Sequence, residues 1–120
     1  MKRIFIIEDH EDMQLIYKLI FRKVEGVHLV ALAGSANEAL AMMPEVKPDL
    51  VIVDISLPGM NGMELTTHLK KMSPSIKVLV ASGHETDDYS RQAIESGADA
   101  FVGKSNTHKL LEKVMEVLQI

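Results

Sequence analysis

The 120-residue chain contains no cysteine, which removes a disulfide framework, a thiolate metal site and a cysteine nucleophile from consideration. No apolar run approaches the roughly 18 residues of a membrane span. Met1-Lys2-Arg3 followed by Ile4–Ile7 has the order of a signal peptide, but Glu8 and Asp9 stop the run too early. Basic residues are not in excess either. The net charge is −4, so direct nucleic-acid binding through a basic face is not expected. Linker-like stretches, low-complexity segments and repeats at a solenoid period are missing. The expectation is one domain over residues 1–120, cytoplasmic and without membrane contact.

What is present is an ordinary globular balance, with 47 % apolar and 25 % charged residues. A chain of this size buries about two thirds of the surface that it exposes when unfolded. Apolar runs suited to strands alternate with helical patterns five times. The strands are predicted at Arg3–Ile7, Leu29–Ala33, Leu50–Val53, Lys77–Ala81 and Ala100–Val102. The helices are predicted at Asp12–Val24, Asn37–Met43, Gly62–Met72, Asp87–Ser96 and Thr107–Leu118. Such alternation means βαβ units and a parallel sheet covered on both faces.

The central stretch is Leu50–Gly62, LVIVDISLPGMNG. Four consecutive branched apolar residues without alternation fit a strand buried on both faces. Asp54 then falls at the carboxyl end of the strand, the edge where open α/β sheets place ligands. Pro58-Gly59-Met60-Asn61-Gly62 is turn chemistry, with Gly and Asn permitting positive φ.

The first strand runs into Glu8-Asp9-His10-Glu11-Asp12, four acids within five residues. A solvated helix start accounts for Glu11 and Asp12, because acids favour the positive end of the helix dipole. It accounts poorly for Glu8 and Asp9, which abut the strand end and share an edge with Asp54. Carboxylates ~4 Å apart repel by a few kcal/mol at an effective dielectric of about 20. The cluster needs a cation. Oxygen ligands without His or Cys point to a hard ion, Mg²⁺ retaining several waters.

The same edge collects two further groups. The fourth strand ends in Ser82-Gly83-His84, where a hydroxyl could donate to an oxygen bound at Asp54. The fifth leads to Gly103-Lys104-Ser105, which lacks the earlier glycine of a P-loop and instead aims the Lys104 charge at the edge. On the first helix the predicted core stripe is Met13, Ile16, Tyr17, Ile20 and Val24. Leu15 and Leu19 point away from it. They are either two surface leucines or a docking surface beside the acidic edge.

Glu8-Asp9, Asp54, Pro58-Gly59-x-x-Gly62, Ser82 and Lys104 together resemble the receiver domain of bacterial two-component response regulators, along essentially the whole chain. The resemblance implies a flavodoxin-like (βα)5 sandwich with a parallel sheet of order 2-1-3-4-5. It implies that Asp54 accepts a phosphoryl group from the His of a sensor kinase or a histidine phosphotransfer protein. Mg²⁺ would be bound by Asp9, Asp54 and the main-chain carbonyl of Ser56, with Glu8 assisting. Ser82 and Lys104 would contact the phosphoryl oxygens. Ser82 and an aromatic on the fifth strand, here Phe101, would form the switch. A phosphorylation-dependent dimer is compatible with that scheme, and the output partner is left open.

Two departures stand out. Ser105 occupies the place where the family usually has Pro, often after a cis bond; without Pro a cis bond costs about 3–4 kcal/mol, so trans is expected. Phe101 replaces the frequent Tyr and has no hydroxyl for a partner. Three rivals compete with this reading. A haloacid-dehalogenase-type phosphatase needs a second Asp where Ser56 stands, so turnover of outside substrates is not expected. A flavodoxin-like FMN module leaves the acidic edge unexplained. A pseudo-receiver that only binds proteins has no use for the complete acidic set. The chain is read either as a single-domain regulator or as the N-terminal receiver of a longer one.

Overall fold

A computed structural model describes residues 1–83 and 87–120; His84 lies outside them. Five strands and five helices alternate: β1 (Lys2–Ile7), α1 (Glu11–Arg22), β2 (Val27–Ala33), α2 (Ala36–Val46), β3 (Leu50–Asp54), α3 (Gly62–Met72), β4 (Lys77–Ser82), α4 (Asp87–Glu95), β5 (Ala100–Gly103) and α5 (Thr107–Leu118). The strands form one parallel sheet of order β2-β1-β3-β4-β5, the flavodoxin-like arrangement that was expected.

Alternation along each strand divides the interior into two cores. Phe5, Ile7, Val51, Val53, Val78 and Val80 face one side, where Ala39 and Met43 of α2, Leu65 and Leu69 of α3 and Ala93 of α4 cover them. Ile4, Ile6, Leu50, Ile52, Leu79 and Val102 face the other, under Tyr17 and Phe21 of α1 and Leu110, Val114 and Leu118 of α5. β3 sits in the middle of the sheet and every one of its residues is buried. That double burial is why its sequence is continuously apolar up to Asp54.

Several local expectations change. The α1 stripe rotates: Ile16 is 43 % exposed, whereas Phe21 is buried. The ring of Phe21 lies beside that of Tyr17, with centroids 6.4 Å apart. Helix α2 does not stop before Pro44 but continues to Val46. Proline removes one hydrogen bond there, yet only Glu45 and Val46 follow it in the helix. Lys47 then ends the helix at φ 47°, its N–H reaching the carbonyl of Met43 at 3.2 Å. Strand β2 begins at Val27 and carries a bulge opposite Ile4 and Phe5, so Leu29 and Ala31 are their successive partners. Asn61 is not at positive φ. It caps α3 in extended conformation, its side chain accepting from Met63 N at 3.0 Å and Glu64 N at 2.9 Å.

Candidate functional site

The carboxyl ends of β1, β3, β4 and β5 meet at one edge because parallel pairing brings them into register. Ile7 pairs with Val53, Asp54 with Ala81, and Ser82 with Gly103. The residues that follow the strand ends are therefore neighbours in space. Glu8, Asp54 and Ser82 are all buried, at 0 %, 3 % and 1 % exposure.

Lys104 Nζ joins two of the acids, 2.9 Å from Glu8 Oε1 and 3.1 Å from Asp54 Oδ2. Its backbone is placed by its own N–H, which donates to the carbonyl of Ser82 at 2.7 Å. The other Asp54 oxygen, Oδ1, accepts from the N–H of Ser56 at 3.2 Å. Ser56 thus touches Asp54 through its amide. The β3–α3 loop reaches this position through two glycines. Gly59 adopts φ +76°, and Gly62 packs so closely on the end of β3 that a Cβ there would strike the carbonyl oxygen of Asp54. The peptide before Ser105 is trans, as no cis bond occurs among the described residues.

Electrostatics at the edge are in tension. Burial raises the Glu8 carboxyl above its usual range, against the opposing hydrogen bond from Lys104. Burial likewise disfavours the Lys104 cation, but the bonds to Glu8 and Asp54 more than offset it, so its pKa is raised. Tyr17, beneath the site, is pushed well above the usual phenol range, first by burial and then by the charges of Glu8 and Asp54.

One ring enters that the sequence reading left out. His10 occupies the N-cap of α1 without capping it. Its Nδ1 lies 3.1 Å from Glu8 Oε2 and 3.1 Å from Asp9 Oδ1. The hydrogen bond to Glu8, with the negative charge of Asp9, raises the imidazole pKa. The expectation of an edge without imidazole is therefore corrected. Gln14 was missed as well; its Nε2 donates to the carbonyl of Glu8 at 2.6 Å. A polar side chain one helical turn past an N-cap points back toward the strand end, and that placement was the available signal.

Glu8, Asp9, His10 and Asp54 each present one ligand-type atom, all within 4.8 Å of one another. Asp9 Oδ1 is buried and has no hydrogen-bond partner among the described residues, since its approach to His10 lacks hydrogen-bond geometry. A buried carboxylate oxygen left unsatisfied beside other carboxylates fits a bound cation. Phe101 stands apart from this cluster, half-buried on β5, pairing with Val80 and packed on the core side covered by α2, α3 and α4. Leu15 and Leu19 project from α1 at 56 % and 47 % exposure. The exposed Ile16 extends their apolar patch.

The profile of the family described as response regulator receiver domain matches residues 4–116. The response regulator GacA of Pseudomonas viridiflava is 30 % identical over 104 residues, which are 87 % of this chain and 49 % of that protein. The response regulator VraR of Staphylococcus aureus is also 30 % identical, over 89 % of this chain and 51 % of its own. The chain thus spans about half the length of the curated relatives that it matches. Among solved structures, a CheY-like response regulator receiver domain protein from Methanospirillum hungatei is 34 % identical, with a TM-score of 0.84 over 99 % of this chain and 94 % of its own. A LuxR-family two-component response regulator from Aurantimonas is 29 % identical, with a TM-score of 0.93 over 98 % of this chain and 85 % of its own.

Proposed function

The chain belongs to the response regulator receiver family of two-component signalling, and from that membership we propose that Asp54 is its phosphoacceptor. The donor is the phosphohistidine of a sensor kinase or of a histidine phosphotransfer protein. The observation that carries this reading is the carboxylate of Asp54, buried at the sheet edge between a lysine ammonium and two other acids. A carboxylate is a weak nucleophile, and it attacks when held in place and desolvated beside positive charge. In the transfer, the phosphorus–nitrogen bond to the donor imidazole breaks while a phosphorus–oxygen bond to Asp54 forms.

Each neighbour has a role in that step. Lys104 exchanges its contact with Asp54 for the incoming phosphoryl oxygens and offsets their charge. Ser82 donates to another of these oxygens, and the Ser56 amide fixes the carboxylate. Mg²⁺ would be held by Asp9, Asp54 and the Ser56 carbonyl with Glu8 assisting, and when bound it supplies electrostatic stabilisation of the transferred group. The phosphorylated state adds about 1.5–2 negative charges. Ser82 is drawn toward them, and Phe101 follows into the vacated space, which shifts the domain between two packings.

The protein does not turn over external substrates in this reading, because Ser56 stands where a phosphatase of the aspartyl-phosphate type needs its acid/base. Acting in the cytoplasm, it passes the signal to an output domain or partner, with a phosphorylation-dependent dimer as one form of the readout. A protein-binding pseudo-receiver is the competing reading. Incubation with acetyl phosphate and Mg²⁺ separates the two. One phosphoryl group should add to the mass of the wild type and none to Asp54→Asn. Undiminished labelling of that variant assigns the acceptor elsewhere, and no labelling of the wild type favours the pseudo-receiver.

A further inference from the structure

We infer that His10 is a nitrogen ligand of the ion held at the acidic edge, so that the site binds borderline transition ions such as Ni²⁺ more tightly than its oxygen ligands alone would. The inference rests on the metal reading of Asp9 and Asp54 and names a preference within it.

An N-cap side chain normally accepts a hydrogen bond from the first turn of its helix. His10 forgoes that bond, and its ring turns onto Glu8 and Asp9 instead. Octahedral ligands about 2.1 Å from an ion stand ~3.0 Å apart when adjacent and ~4.2 Å apart when opposite. Nδ1 is 3.1 Å from both Glu8 Oε2 and Asp9 Oδ1, close to the adjacent spacing, and the wider set with Asp54 stays within 4.8 Å. Glu8 spends Oε1 on Lys104, while Oε2 faces the ring. Asp9 Oδ1 has no competing hydrogen bond. The imidazole is 67 % exposed, so a small rotation meets little resistance and the displaced Nδ1 proton passes to water. Imidazole nitrogen suits Ni²⁺, Co²⁺ and Zn²⁺, whereas Mg²⁺ prefers oxygen and retains its waters.

Calorimetric titration with Ni²⁺ and with Mg²⁺ tests this on the intact chain. His108→Ala serves as the background, because His108 and Glu112 form an exposed pair, 2.7 Å apart on α5, that could bind Ni²⁺ separately. Adding His10→Ala should weaken Ni²⁺ by about tenfold or more and leave Mg²⁺ within about twofold. In ¹⁵N-histidine spectra, the Nδ1 resonance of His10 should move on addition of diamagnetic Zn²⁺ and not of Mg²⁺. Unchanged Ni²⁺ affinity in His10→Ala, together with a stationary Nδ1 signal, overturns the inference while Mg²⁺ binding leaves the site itself intact. Absence of binding by both ions in the background protein overturns the metal reading as well.

Discussion

Burial lifts the Glu8 carboxyl above its ordinary value of 4.5, although the ammonium of Lys104 pulls it down. The unfolded chain therefore releases this proton at lower pH than the folded chain does. Between the two values the folded state holds more protons, so stability falls as pH rises. His10 acts in the same sense: its raised pKa contributes stability that is present below 6.5 and lost as pH climbs through the folded value. Glu8→Gln removes the first effect and weakens the second. Urea unfolding across a pH series should show the stability of the wild type minus that of Glu8→Gln decreasing from pH 4.5 upward. A difference that grows with pH would mean that the ion pair with Lys104 outweighs burial. Gly62 offers a steric test at the same scale. Because a Cβ there meets the Asp54 carbonyl and comes within 2.8 Å of Ile55 Cα, both backbone, little can yield. Gly62→Ala should cost about 1–3 kcal/mol in urea unfolding with an unchanged m-value, and an unaltered midpoint would show that the loop has room.

Helices and strands were legible wherever burial imposes a period. β3 reads as a doubly buried strand because both of its faces are covered, and Asp54, Glu8 and Lys104 could be placed because each lies at or directly after a strand end. Capping and bulges were less legible, since they depend on single side chains and on the neighbouring strand. The end of α2 predicted at Met43 falls short of Val46, and the bulge in β2 has no mark in its sequence. His10 was missed because its partners lie within two residues of it, where periodicity says nothing about ring direction. The rotation of the α1 stripe has a consequence for docking, for it leaves Leu15, Ile16 and Leu19 together on the solvent side. A kinase helix laid on them would bury apolar surface worth a few kcal/mol at about 25 cal/mol per Å². None of the three belongs to the cluster around Asp54. Leu15→Ala/Leu19→Ala should slow phosphotransfer from the kinase and leave the acetyl phosphate rate nearly unchanged. Equal slowing with both donors points to a disturbed site, and no slowing with either returns the pair to ordinary surface.

At the scale of the whole molecule, two apolar cores hold a sheet with an acidic cluster at its carboxyl edge. Glu8 and Asp54 are buried there with a single ammonium between them, so in the metal-free protein the cores carry the cost of keeping these acids together. A cation bound only by the folded state offsets that cost through mass action, by about 2.7 kcal/mol at a hundredfold excess over its Kd. Asp9 is the informative position. It belongs to the cluster, its Oδ1 has no hydrogen bond among the described residues, and it is not bonded to Lys104. Removing it deletes a ligand and a repulsive charge without freeing a buried partner. Asp9→Ala should therefore be as stable as the wild type or more so without metal, yet lose most of the Mg²⁺-dependent rise in Tm. Melting both proteins over a series of Mg²⁺ concentrations measures the two effects separately. Equal shifts in both would remove Asp9 from the metal site. A variant that is less stable without metal would instead give Asp9 a structural role, in which its contact with His10 helps to hold the start of α1.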